Sequence, residues 1–180
     1  MLVYFGYGET ETAYLRRKDP RLGAVIDRVG MIERAVDPDL FSSVVHHIIG
    51  QQISTKAQET IWRRLQEALG AANAETVLAA GEAKLQALGK AAYLTDFAAQ
   101  VHAGAFDLEA VAQLPDGDAI RQLSSLKGIG VWTAEMILLF CLQRPDIFSY
   151  DDLAIQRGLR MVYHHRAISR PLFEKYRRRF

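Results

Sequence analysis

The sequence has little cysteine and proline and no long hydrophobic run. Its 180 residues include one cysteine, Cys141, and five prolines. A single cysteine excludes an intramolecular disulfide and an iron–sulfur cluster held by four cysteines. The longest apolar run, at 136–142, is far shorter than the roughly 20 residues of a membrane span. We therefore expect a soluble cytoplasmic protein with Cys141 in its core.

The chain also lacks an excess of charge of one sign. It has 22 lysines and arginines against 21 acidic residues, a formal net charge of +1. A protein that coats DNA is usually more basic, so net charge alone does not indicate a nucleic-acid partner. Basic residues are grouped at 16–18, 63–64 and 175–179. Each group is explained either by a solvated helix face or by an anion-binding surface.

Apolar residues recur mostly with the helical period, and glycines stand where helices should end. This pattern predicts an all-α protein, a compact orthogonal helical bundle in two lobes. One helix should follow Asp39 and run through Ile49, and another should open with a capping box of Thr55 and Gln58 and close at Gly70. Further helices are expected at Ala74–Ala80, Glu82–Leu88, Lys90–His102 and Asp107–Leu114.

Two glycines flank one apolar residue in Gly128-Ile129-Gly130. We predict a tight turn here, between a helix from Asp118 to Leu126 and a second from Val131 to about Leu142. Glycines can take backbone conformations closed to other residues and expose their amides. The first N–H groups of the second helix, together with its dipole, also attract an anion. The sequence therefore predicts a phosphate-binding turn.

A carboxylate pair, Asp151 and Asp152, follows this hairpin. Asp is a favoured N-cap residue, and Leu153 begins a helical pattern, so spacing alone favours capping by Asp152 over catalysis. The two roles are compatible, because a helix N-terminus stabilises the charged form of a carboxylate. Asp151 is the alternative candidate for a catalytic role.

Taken together, these segments resemble the helix-hairpin-helix motif and following Asp of the DNA base-excision glycosylases, in particular the 3-methyladenine DNA glycosylase II branch. The stretch from Ile48 to Ser54, Ile-Ile-Gly-Gln-Gln-Ile-Ser, also resembles the segment with which that branch probes the duplex. The resemblance implies one HhH-GPD-like domain over 1–180, with its hairpin motif at 118–142. It makes Asp152 the essential carboxylate.

The resemblance further implies double-stranded DNA with alkylated bases as the partner of a monomeric protein. Gln52 matches the position that wedges into the duplex, although solvent exposure and helix capping also explain these glutamines. Ser54 and Thr55 either contact phosphate or cap the next helix, and capping is favoured for Thr55. The predicted DNA-binding residues are Gln51, Gln52, Ser54, Lys127, Gly128, Gly130 and Thr133.

The chemistry implied is hydrolysis of the N-glycosidic bond of alkylated purines, 3-methyladenine and 7-methylguanine. Asp152 would stabilise positive charge on the deoxyribose, and no metal or organic cofactor is required. Trp132 stands where relatives that also cut the strand carry a Schiff-base lysine, so base release without strand cleavage is expected. Trp132 would stack on the flipped base or else lie in the core. Lys127 replaces a common proline and does not match the lyase position.

Two other functions compete with this interpretation: a noncatalytic helix-hairpin-helix module that binds DNA, and a glycosylase for a mismatched or oxidised base. Metal binding by His46-His47 or His164-His165 is disfavoured, because neighbouring residues on a helix point about 100° apart. The chain ends at Phe180, where the branch generally continues with another helical, aromatic segment. This difference raises the hypothesis of a C-terminal truncation.

Overall fold

A computed structural model describes residues 3–86 and 90–180, apart from the side chain of Glu82. In this part the chain is almost entirely helical, so the predicted all-α class is confirmed. The helices are α1 (Glu9–Lys18), α2 (Pro20–Val29), α3 (Leu40–Gly50), α4 (Thr55–Leu69), α5 (Ala74–Gln86), α6 (Ala91–His102), α7 (Leu108–Gln113), α8 (Asp116–Leu123), α9 (Val131–Phe140), α10 (Leu153–Tyr163) and α11 (Arg170–Arg177). Strands β1 (Val3–Tyr4) and β2 (Ala35–Val36) pair antiparallel.

The chain divides into two compact units. The first unit comprises 1–36 and 146–180, and the second comprises 37–145. Within the described ranges no helix is long and apolar enough to cross a membrane.

The second unit begins with two helices whose starts are decided by local hydrogen bonds. α3 follows Asp39 as predicted, and Asp39 caps it, accepting a hydrogen bond from the Ser42 amide at 2.6 Å. The predicted capping box at Thr55 is wrong, because the Ser54 hydroxyl caps α4 instead, accepting from the Ala57 amide at 3.3 Å. Gln58 is used elsewhere, since its amide donates to the His46 carbonyl at 3.0 Å.

The following helices lie close to their predicted positions. Gly81 has φ 73° and ψ 158° and breaks α5 where the sequence predicts the boundary between two helices. The predicted end of that second helix at Leu88 lies outside the described residues. Asp107 caps α7 through the Ala110 amide, 2.9 Å away. The core of this unit is built from apolar side chains of α3, α6, α8 and α9: Val44, Val45, Ile48, Leu94, Phe97, Leu123, Ile137 and Leu138.

Cys141 lies in this core, as predicted, with 4% of its surface exposed. Burial raises the pKa of its thiol to about 12 and outweighs the hydrogen bond with Ser43, which lowers it. Because the thiolate is the reactive form, we expect no reaction with Ellman's reagent in the native protein at pH 8. After unfolding in guanidinium, the reagent should release one equivalent of its coloured thiolate per protein chain. Rapid stoichiometric labelling without denaturant would contradict this prediction.

The first unit is organised around a buried carboxylate that sequence reasoning missed. Asp19 is 3% exposed and caps α2, accepting hydrogen bonds from the amides of Arg21 and Leu22. The Tyr163 hydroxyl donates to its other oxygen at 2.8 Å, and Arg179 forms an ion pair with that oxygen. Asp19 thereby connects α2 to α10 and to the end of the chain.

This network also explains part of the basic sequence at 175–179. The guanidinium of Arg179 lies over the Tyr163 and Tyr176 rings, which stack at 4.2 Å. Arg177 faces Glu174 at 3.9 Å. In the group at 16–18, Arg16 pairs with both Glu9 and Asp27. These arginines therefore act in ion pairs within their own unit. The core of the first unit consists of Leu159, Tyr163, Ile168, Phe173 and Tyr176.

Candidate nucleic-acid interface

The helical hairpin is formed by α8 and α9, with residues 124–130 between them. The first helix begins at Asp116, two residues before the predicted start, and ends at Leu123 rather than Leu126. Its N-cap is Pro115, because proline cannot supply a helical N–H and restricts its own φ. Asp118 lies inside the first turn and pairs with Arg121.

Only one of the two glycines in the turn needs the freedom of glycine. Gly128 has φ 83°, in the left-handed region, and a Cβ atom there would lie 3.1 Å from the Tyr93 ring. Gly130 has φ −89°, and a Cβ atom would meet nothing within 4 Å. The prediction of a special conformation is therefore confirmed for Gly128 and wrong for Gly130. Leu126 and Ile129 are buried and anchor the turn.

Three contacts from within the same unit hold this turn. The Gln51 amide donates to the Gly128 carbonyl, joining the turn to the segment that follows α3. Lys127 Nζ lies 2.9 Å from Asp96 Oδ1, and this hydrogen bond is the main cause of a lowered Asp96 pKa. Tyr93 contributes its ring beneath Gly128. Sequence reasoning missed Tyr93 and Asp96, because nothing in their local pattern links them to residues more than 30 positions away.

Replacing Gly128 with alanine should destabilise the protein by about 1–3 kcal/mol, through the left-handed backbone and the contact with Tyr93. The matched change Gly130→Ala should cost less than about 1 kcal/mol, since its backbone is ordinary and its surroundings are open. Urea unfolding followed by circular dichroism measures both. Equal decreases in the free energy of unfolding for the two variants would show that the positive φ of Gly128 does not contribute to the cost.

The start of α9 is open at the surface. Its N-cap, Gly130, supplies no capping side chain. Val131 is 53% and Trp132 43% exposed, so the interpretation of Trp132 as a core residue is wrong. Thr133 is only 6% exposed, and a DNA contact from it would have to come from its main chain. The exposed groups at this end of the helix are therefore its first amides and two large apolar side chains.

The segment between α3 and α4 lies at the surface beside the hairpin turn to which Gln51 is bonded. Gln52 is exposed and has φ 65°, a left-handed conformation that is uncommon for a residue other than glycine. Ile53 is 39% exposed. The Ser54 hydroxyl is used as the cap of α4. The turn thus presents Gln52 outward at a modest conformational cost of about 1 kcal/mol.

In the first unit, Asp152 is the N-cap of α10, as its spacing predicts. One carboxylate oxygen accepts from the Ile155 amide at 2.8 Å, and the side chain is half-buried, whereas Asp151 is exposed. The loop before it is held by Gln156, whose amide donates to the Tyr150 carbonyl at 2.6 Å. The carboxylate is therefore fixed in position at the N-terminus of α10.

Three of the four paired histidines, His46, His47 and His165, have structural partners. The His46 ring packs against the Trp62 ring, with centroids 4.8 Å apart and planes tilted by 32°, and a ring nitrogen of His47 lies 2.8 Å from the Ser43 carbonyl. Burial lowers the pKa of both rings. His165 contacts the Tyr176 hydroxyl at 2.7 Å. In the part of the chain that the structure describes, no three His, Cys, Asp or Glu side chains are grouped to hold a metal ion.

Comparison with known proteins places these features in a family. The model of the HhH-GPD superfamily of base excision DNA repair proteins matches residues 45–179. The DNA-3-methyladenine glycosylase of Saccharomyces cerevisiae is 31% identical over 134 residues, which cover 67% of this chain and 45% of the yeast protein. Overall, the chain spans 24% to 53% of the length of the curated relatives that it matches.

Solved structures that share the fold include the following two. A DNA-3-methyladenine glycosidase from Bacillus halodurans is 30% identical with a TM-score of 0.74, and the match covers 91% of this chain and 77% of that one. An 8-oxoguanine glycosylase/lyase from Clostridium acetobutylicum has a TM-score of 0.81 at 19% identity, with 98% of this chain and 67% of that one covered. At that identity the second likeness concerns the fold alone.

Proposed function

Because the chain belongs to the HhH-GPD superfamily of base excision DNA repair proteins, we propose that it is a monofunctional DNA glycosylase for alkylated purines. The substrates proposed are 3-methyladenine and 7-methylguanine in double-stranded DNA. Residues 1–180 would act as one catalytic domain, as a monomer in the cytoplasm at the nucleoid. The observation that carries the proposal is Asp152, a half-buried carboxylate fixed as the N-cap of α10.

Asp152 is proposed to stabilise the transition state electrostatically. As the N-glycosidic bond breaks, its electron pair leaves with the base and positive charge develops on the deoxyribose. A carboxylate beside the ring stabilises that charge and aligns a water molecule. The water oxygen bonds to C1′, and its proton passes to the carboxylate or to solvent. The hydrogen bond from the Ile155 amide keeps the carboxylate in one orientation.

Alkylated purines suit a site with one carboxylate. Methylation of a ring nitrogen can make the purine cationic, and a cationic base leaves without first being protonated. The enzyme then needs no second acid. The ring of Trp132, 43% exposed, is proposed to stack on the flipped base, with a cation–π contribution of roughly 0.5–2 kcal/mol.

The hairpin is proposed to hold the DNA backbone. The turn at Gly128 and Gly130 and the first amides of α9, including that of Thr133, would bind phosphate without reading sequence. Gln51 supports the turn through the Gly128 carbonyl, and Gln52 would fill the gap left by the flipped nucleotide. Ser54 would contribute from the start of α4.

Absence of strand cleavage is the second part of the proposal. Trp132 has no amine with which to form a Schiff base. Lys127, the lysine nearest in sequence, is bound to Asp96 at 2.9 Å, and this ion pair supports a role in positioning the turn. A contact of Lys127 with phosphate is proposed from the family resemblance alone. We therefore expect an abasic product with an intact strand.

The test is incubation of the protein with duplexes that contain 3-methyladenine, 7-methylguanine or 8-oxoguanine, followed by quantification of free base and of strand breaks. Release of the two methylated purines without strand breaks would support the proposal. Release of 8-oxoguanine alone would assign another lesion class. Duplex binding without release of any base would favour the noncatalytic DNA-binding module.

A further inference from the structure

The stretch that follows Asp152 is basic and has no acidic residue of its own. From Leu153 to Phe173 the sequence has no Asp or Glu, yet it contains Arg157, Arg160, Arg166 and Arg170. Most other arginines described above are paired with carboxylates. Within residues 3–86 and 90–180, none of these four forms an ion pair. Their charge is therefore not balanced by a carboxylate of the described chain.

Two of these arginines line a depression on the surface of the first unit. Arg157, Arg160, Met161 and His165 surround a volume of about 310 Å³. Arg160 and Met161 lie three and four positions after Arg157 and so border the same face of α10. His165 reaches the same depression because His164 ends the helix with φ 57°. The His165 ring is oriented by its contact with the buried Tyr176 hydroxyl, 2.7 Å away.

This set of side chains has the chemistry of a phosphate site. Planar guanidinium groups bind phosphate oxygens in pairs, and an imidazole nitrogen adds a further donor. Leu153 and Met161, on the same face, are 67% and 73% exposed and offer apolar contact to a sugar. We infer that the Arg157–Arg160–His165 depression binds a backbone phosphate of the DNA strand. The choice of DNA as the ligand rests on the proposed function.

The position of the depression along α10 agrees with such a contact. Arg157 and Arg160 follow Asp152 by five and eight residues, which at 1.5 Å per residue places them about 7–12 Å further along the helix axis. That span corresponds to roughly two to four nucleotide steps of 3.4 Å. One helix would therefore present its carboxylate to the damaged nucleotide and its arginines to a phosphate nearby on the backbone.

The test compares two double variants that each remove two positive charges. Arg157→Gln with Arg160→Gln alters the depression, whereas the control, Arg63→Gln with Arg177→Gln, alters two exposed arginines paired with Glu67 and Glu174. Affinity for an undamaged fluorescent duplex is measured by anisotropy at several salt concentrations. Because both arginines are inferred to hold one phosphate, the slope of log affinity against log salt should fall by about 0.9. The affinity in 0.1 M salt should fall at least about tenfold, and the control should change little.

A second measurement separates DNA from free phosphate as the ligand. Inorganic phosphate is titrated while the ring signals of His165 are followed by NMR in the wild type and in the Arg157/Arg160 variant. The inference is supported if phosphate perturbs the His165 ring signals in the wild type but not in the Arg157/Arg160 variant, and if that variant also has the reduced salt slope. Perturbation without a change in the salt slope assigns a free anion and overturns the DNA contact. If phosphate does not perturb His165 and the salt slope does not change, the site itself is overturned.

Failure of this inference is distinguishable from failure of the proposed function. The salt slope uses undamaged DNA, whereas the proposed function is read from release of methylated purines in a single turnover at saturating enzyme. A wild type that binds DNA but releases no base would refute the glycosylase proposal and leave the phosphate contact to be judged by the variants.

Discussion

Replacement of Asp152 with asparagine is expected to lower the single-turnover rate of base release by about 10²- to 10³-fold while the affinity for duplex DNA stays within about threefold. The reason is the loss of negative charge beside the deoxyribose. Asparagine keeps an oxygen that can accept the hydrogen bond from the Ile155 amide, now 2.8 Å from the carboxylate. Single-turnover assays with 7-methylguanine duplexes, together with binding to an abasic duplex, measure the two quantities.

Two further variants separate charge from capping. Asparagine and aspartate are nearly equal as N-caps, so Asp152→Asn should leave the free energy of unfolding almost unchanged, whereas Asp152→Ala should cost about 1 kcal/mol. Asp151→Asn is the matched control, because Asp151 is exposed and adjacent. If Asp151→Asn loses base release and Asp152→Asn retains it, the catalytic assignment moves to Asp151. Full activity in both variants would remove the carboxylate from the mechanism.

Replacement of Asp19 with alanine is expected to lower the free energy of unfolding by about 3 kcal/mol. The change removes the cap of α2, the acceptor for the Tyr163 hydroxyl and the partner of Arg179. It also leaves the buried Tyr163 hydroxyl without its partner. In the wild type, burial is the main cause and Asp19 the second cause that raise the pKa of Tyr163 to about 12. Urea unfolding measures the loss.

Asp27→Ala is the control, since Asp27 also pairs with an arginine, Arg16, but is 65% exposed. An exposed ion pair contributes about 0–1 kcal/mol, so this variant should unfold close to the wild type. Equal destabilisation by the two variants would mean that burial and the shared hydrogen bonds of Asp19 add nothing.

The same carboxylate should make stability depend on pH. Burial alone would raise the pKa of Asp19, but hydrogen bonds from Leu22 and Tyr163 and the charge of Arg179 outweigh it and lower the pKa. A group whose pKa is lower in the folded state stabilises the protein above its unfolded pKa, about 3.9 for Asp. That contribution is lost as the pH falls through the lowered folded value. The difference in stability between wild type and Asp19→Ala should therefore narrow below about pH 4.

Features that depend on neighbours three or four residues away could be predicted from the sequence. Asp39 and Asp152 cap α3 and α10, because an Asp before an apolar helical pattern meets the amide of its own first turn. Gly81 interrupts α5 where glycine punctuates the pattern. The order of hairpin and carboxylate also sufficed to indicate the family. All these signals are local or depend on order along the chain.

Other features were decided only by tertiary contacts. The sequence predicted Thr55 as the cap of α4, but Ser54 is the cap, since Gln58 donates to the His46 carbonyl rather than completing the capping box. It assigned the same conformational need to Gly128 and Gly130, although only Gly128 lies against Tyr93. Residue spacing is unable to reveal which side chain will approach from another helix.

The sequence by itself determined the helical class, many helix boundaries from α3 onward and the residue types available for chemistry, because periodicity, caps and glycine breaks act within one turn of helix. The tertiary structure decided which charges are neutralised. It pairs Asp19 with Arg179 across 160 positions and Lys127 with Asp96 across 31. It leaves Arg157 and Arg160 beside each other at a surface depression. Electrostatic energy depends on distance in space, and distance in space between remote residues exists only once the chain has folded.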